Sequence, residues 1–91
     1  MKVFAICYDL KTPGRNYAPL YAEIKKASKW WHYLDSTWLV HTAETPEQIW
    51  NRLGKLIDQN DSMLIIEVRN SKKGWLPKGA WDWMNANVPP P

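Results

Sequence analysis

Cysteine is nearly absent from this sequence: Cys7 is the only one in 91 residues, so no intrachain disulfide can staple the fold. A lone thiol inside an apolar run reads as a reduced, buried residue, and the expected compartment is the cytoplasm. Histidine is almost as scarce. His32 and His41 have no cysteine or carboxylate at metal-ligand spacing, so the pattern argues against a zinc site. No apolar run approaches the roughly 20 residues of a membrane span, and the apolar stretch after Lys2 is too short for a signal core, so no membrane partner is expected. Dense clusters of one charge are missing too. A net charge of +3 favours anionic partners without the Lys/Arg density of a dedicated DNA-binding tail.

What is abundant is tryptophan, seven residues at 30, 31, 38, 50, 75, 81 and 83. A core this small cannot hide seven indoles, so some are expected at an interface or a stacking surface. The chain has room for one domain. Lys2 to Asp9 is a near-continuous β-prone run, predicting a central strand that ends at the Lys11-Thr12-Pro13-Gly14 turn. Tyr17, Leu20, Tyr21, Ile24 and Ala27 recur at helical spacing after Asn16, a suitable N-cap. Trp30–Leu34 and Thr37–His41 predict two strands around an Asp35-Ser36 turn. Thr45-Pro46-Glu47-Gln48 forms a capping box opening a second helix with Ile49, Leu53, Leu56 and Ile57 as its buried stripe and Trp50 beside it. Met63 to Val68 is a last strand. The prediction is an α+β, ferredoxin-like βαββαβ domain over residues 1–70, its four-stranded antiparallel sheet covered by two helices on one face. The other face is expected to be free and closed by a second copy. Residues 71–91 form a Trp-rich segment, with a short helix from Pro77 carrying Trp81 and Met84 and a frayed Val88–Pro91 tail, packed on the same domain or on a partner.

Tyr8-Asp9-Leu10, Ser36, Thr45-Pro46-Glu47 and the Ile57-Asp58 to Asp61-Ser62 passage together resemble the CRISPR-associated Cas-two proteins, over roughly residues 1 to 68. Those are ferredoxin-like homodimers of bacterial defence against phage, and the virulence-associated protein D ribonucleases share their plan. The resemblance implies a homodimer in which Asp9 lies near the two-fold axis and, paired with its mate, holds Mg²⁺ for phosphodiester cleavage. The chain departs from that family where several arginines commonly follow the aspartate, since it reads Lys11-Thr12-Pro13-Gly14-Arg15. A stand-alone Cas-two-like protein is therefore the expectation.

Asp9 suits a hard Mg²⁺, which takes carboxylate oxygens and substrate phosphates, but one carboxylate requires a second copy to make a site. Its plain alternative is an Asx-type turn residue. Lys11, Arg15 and Asn16 occupy a loop leading into a helix N-terminus and are the candidate phosphate-binding residues. Lys25, Lys26 and Lys29 are read first as cations favoured by the helix C-terminus. Glu67 is a candidate second acid if it shares a face with Asp9. Tyr8, Trp30, Trp31, Tyr33 and Trp38 are candidates for base stacking or for the dimer interface. Three readings stand: a homodimer that binds RNA, DNA or a nucleotide and cleaves phosphodiesters with Mg²⁺; a non-enzymatic binding or scaffold module; and a ribonuclease toxin.

Overall fold

The computed structural model describes residues 1–90. Four strands, β1 (Lys2–Asp9), β2 (Lys29–Leu34), β3 (Thr37–Thr42) and β4 (Ser62–Glu67), form one antiparallel sheet in the order β2-β3-β1-β4. Three helices accompany it, α1 (Ala18–Ile24), α2 (Pro46–Leu53) and α3 (Lys78–Asn87), and a 3₁₀ turn over Gly54–Leu56 ends α2. The α+β class and the predicted strands agree with the expectation. The third helix makes the plan not strictly ferredoxin-like.

β1 is central because both of its faces are apolar, and each face supports a core. Phe4 and Ile6 point one way, joining Trp38 and Val40 of β3, Leu20 and Ile24 of α1, and Ile49 and Leu53 of α2. Val3 and Ala5 point the other way, joining Trp31, Leu39 and the α3 residues Ala80 and Met84, with Val88 just beyond. The second face is thus not free as expected. Met84 and Ala80, one helical turn apart, face the sheet, and Trp81 flanks them. Val88 is buried rather than frayed; Pro91, the end of that expected tail, lies outside the described residues. Trp31 locks the helix in place by donating its indole N–H to the Ala80 carbonyl at 3.2 Å.

α3 covers only part of this face. On β4 the register sets Leu64 beside Cys7 and Ile66 beside Ala5, and these two β4 side chains are 56 and 52 % exposed. The capping box of α2 forms as predicted: Gln48 N–H donates to Thr45 Oγ1 at 3.1 Å and Thr45 N–H to Gln48 Oε1 at 2.9 Å. Asn16 instead accepts from the Ala18 N–H, and the N-cap of α1 falls at Tyr17 with no side-chain cap. Arg52 ties the layers together, gripping Glu44 through two bonds of 2.8 Å and donating to the Glu23 carbonyl in α1 at 2.9 Å. Among the described residues, no helix is long and apolar enough to cross a membrane.

Candidate nucleic-acid interface

Two places hold the chemistry-bearing side chains, and they lie toward opposite edges of the sheet. The first is the C-terminal end of β1. Asp9 is 64 % exposed there, with the Lys11 ammonium 3.2 Å from its carboxylate. Arg15 faces Asp58 at 3.7 Å and lies over the Tyr17 ring, and Asn16 is used in the turn into α1. All three candidate phosphate-binding residues therefore have partners within the chain.

The organiser of this loop is Asp61, which the sequence places only in the passage from α2 into β4. Its carboxylate accepts from the N–H groups of Lys11 at 2.7 Å and Asp58 at 2.8 Å, and from the hydroxyls of Tyr17 at 2.7 Å and Thr12 at 3.3 Å. Burial opposes its charge, but these four donors outweigh it and hold the carboxyl down at about 2. The Asp58-Gln59-Asn60-Asp61 composition is that of a turn, which Asp61 N–H closes on the Asp58 carbonyl at 3.0 Å; the reach of Asp61 to a loop 44 to 50 residues away has no local signal.

Asp9 does not fit a metal centre within one chain. Among the described residues no group of three or more His, Cys, Asp or Glu side chains clusters, and the nearest charge to Asp9 is a cation. Glu67 is no second acid for it. It registers with Phe4, which places it on the α1–α2 face, whereas Asp9 registers with Ser62 and shares the α3 face with Cys7.

The second place is the β2 edge. Strand alternation splits the aromatic hairpin between the two faces. Trp31 and Tyr33 point to the α3 side, where Trp31 is 3 % exposed and the Tyr33 hydroxyl lies against Gly79. Trp38 is 2 % exposed on the other side, donating its indole N–H to the Tyr8 hydroxyl at 2.9 Å, and Tyr8 donates to the Asp35 carbonyl at 3.2 Å. Burial raises the Tyr8 hydroxyl's pKa, so it stays protonated as this relay requires. Trp31 and Trp38 therefore have no surface to offer a base or a partner; they are core residues.

Tyr33 stays 46 % exposed on the α3 side, and on the α1–α2 side the exposed residues of this edge form a ledge. The His32 ring stacks on Trp38 with centroids 3.6 Å apart and planes 12° apart, Trp30 leans on the same indole at 5.3 Å, and Tyr21 stacks behind it at 6.1 Å. Trp30 is 42 % exposed, His32 is exposed, and the Lys25 ammonium stands 5.2 Å from the Trp30 centroid. The Tyr21–Trp38–His32 column thus runs from a partly buried ring through a buried indole to an accessible ring, with a cation beside it. Lys25 and His32 were legible only as a helix-end cation and a strand histidine, because their convergence depends on α1 packing beside β2. His41 lies apart, opposite Val3 and Lys29. Its Nδ1 is buried without a partner, and burial, Lys29 and the N-terminal amine pull its pKa down, holding the ring neutral.

No family model matches this chain, and no solved structure matches it. The fold defines a small α+β domain.

Proposed function

We propose that this is a cytoplasmic, Cas-two-like binding protein that takes single-stranded nucleic acid or a nucleotide on the Lys25–Trp30–His32 ledge and acts as a binder rather than a nuclease. The observation that carries this reading is the ordered stack behind His32, flanked by a cation. Every base offers a π-face, so a ring held rigidly from behind receives one at low entropic cost, while Lys25 meets the adjoining phosphate. The basic net charge supplies the long-range attraction. The isolated position of Asp9 beside Lys11 favours binding over cleavage.

Fluorescence anisotropy with labelled single-stranded RNA, single-stranded DNA and duplex tests the proposal. Base stacking is worth about 1–3 kcal/mol per ring, so His32→Ala, which removes the receiving ring, should weaken single-strand binding about 5- to 150-fold. Lys25→Ala should lower the salt slope by about one phosphate contact. Asp9→Ala should bind like the wild type, and gels run with Mg²⁺ or EDTA should show intact strands. Unchanged affinity in His32→Ala would remove the ledge from the function, and Mg²⁺-dependent cleavage abolished by Asp9→Ala would restore the nuclease reading.

A further inference from the structure

The charge of this chain is not spread evenly. Residues 69–78, which lead from β4 into α3, hold four of the twelve Lys and Arg residues and none of the nine Asp and Glu. The other 81 residues are therefore one negative charge ahead, and the whole basic surplus of the protein sits in this one segment. Within it stands Trp75, 99 % exposed, the most exposed large hydrophobic side chain among the described residues. The chain is anchored on both sides of that indole. Leu76 packs on the second core and its carbonyl accepts the Trp81 indole N–H at 3.2 Å, while Gly74 lies against the Trp81 ring, 3.9 Å from where a Cβ would stand. With both neighbours held inward, Trp75 is presented outward on a segment that has little backbone freedom left to lose on binding.

The cations of the segment are open to an anion. Lys73 forms no ion pair among the described residues, and Lys72 touches only the neutral Asn70 side chain, at 2.6 Å. Arg69 and Lys78 pair with Glu67 at 3.4 Å and Asp82 at 2.8 Å, but their side chains are 80 and 88 % exposed, and surface pairs of this kind are weak enough to exchange for a phosphate. We infer that residues 69–78 form a second contact for single-stranded nucleic acid, with Trp75 stacking on a base and Lys72 and Lys73 meeting the adjoining phosphates. This contact rests on the ledge reading for its class of ligand, and it adds that the ligand is a strand rather than a single nucleotide.

The two contacts share the β2 edge of the sheet. His32 and Tyr33 are successive residues on opposite faces of that strand, and the Tyr33 hydroxyl lies against Gly79. Trp75 is four residues before Gly79, within about 14 Å of it by chain reach. A strand that leaves the His32 ring and rounds the edge has Trp75 before it on the far face; one nucleotide cannot touch both, because β2 lies between them. A bilayer surface also suits an indole among lysines, but membrane binding scales with the apolar area that can be buried. Leu76 is turned into the core, so the segment offers a lone ring, which fits a base better than a layer of acyl chains.

Fluorescence anisotropy of the intact chain with a labelled single strand of about 12 nucleotides, read across a salt series, tests it. Trp75→Ala should weaken binding at least about 5-fold with an unchanged circular dichroism spectrum, and Trp75→Phe, which keeps a ring, should restore most of the loss. Replacing Lys72 and Lys73 together by alanine should lower the salt slope by about 1.4, the value of two single-strand phosphate contacts. If His32→Ala weakens the strand and Trp75→Ala does not, the ledge stands and this contact is overturned. If Trp75→Ala weakens it and His32→Ala does not, this contact stands and the ledge reading falls. A wild type that binds no strand at about 1 mM overturns both. Co-sedimentation with anionic phospholipid vesicles that Trp75→Ala abolishes, with strand affinity unchanged, assigns the segment to a membrane surface and overturns the inference as well.

Discussion

Met84→Ala is the sharpest test of whether α3 belongs to the fold or merely follows it. Met84 is buried between α3 and the sheet, in the cluster that includes Trp31, Leu39 and Ala80. Methionine-to-alanine changes in cores cost about 2–5 kcal/mol, from lost burial plus the cavity left behind. A single helix lying on a sheet can settle into part of that space, which favours the lower end, about 2–3 kcal/mol. For a domain of this size each kcal/mol moves Tm by about 4–8 °C, so the expected fall is about 10–20 °C. Thermal melts followed by far-ultraviolet circular dichroism and by tryptophan fluorescence should give coincident single transitions, because both cores share β1. Trp75→Ala is the control; its side chain is fully exposed, and its change should stay within about 0.5 kcal/mol. A Met84→Ala shift under about 2 °C, or a separate early transition, would refute the claim that α3 is part of one cooperative unit.

Two further perturbations follow from the polar networks. Asp61 is held at about 2 in the folded chain, below its ordinary value of 3.8, so the unfolded chain binds more protons between those limits. Its contribution is present above pH 3.8 and is lost as pH falls toward 2; urea midpoints of Asp61→Asn should vary less across that window than those of the wild type, and identical slopes would contradict the network. Arg52→Ala removes the two hydrogen bonds to Glu44 and the one to the Glu23 carbonyl, all partly buried, and should cost about 1–2 kcal/mol in urea denaturation. The hydrogen bonds from Arg52 hold the Glu44 carboxyl below its ordinary range against the cost of burial, and the Glu44 carboxyl resonance should titrate upward in the variant. No upward movement would mean the pair does not persist in solution.

The local elements were legible because their causes are local. The Lys2–Asp9 run has two apolar faces, and Thr45-Pro46-Glu47-Gln48 satisfies its own helix terminus, so neither needs a distant partner to be recognised. The split of the tryptophan hairpin was half legible. Period-two alternation separates Trp30 from Trp31, but which side would be closed depends on a helix fifty residues later.

Sequence alone determined where the strands and helices lie, how α2 begins, and that some of the seven indoles had to sit outside the core. Only the tertiary structure decided that α3 folds back over the second sheet face, that Asp61 gathers the loop beside Asp9, and that Lys25, Trp30 and His32 form one ledge. The physical reason is range. Capping and periodicity act within a few residues, whereas those three arrangements are contacts between distant segments, selected because each buries apolar surface or satisfies a charge that no neighbouring residue could.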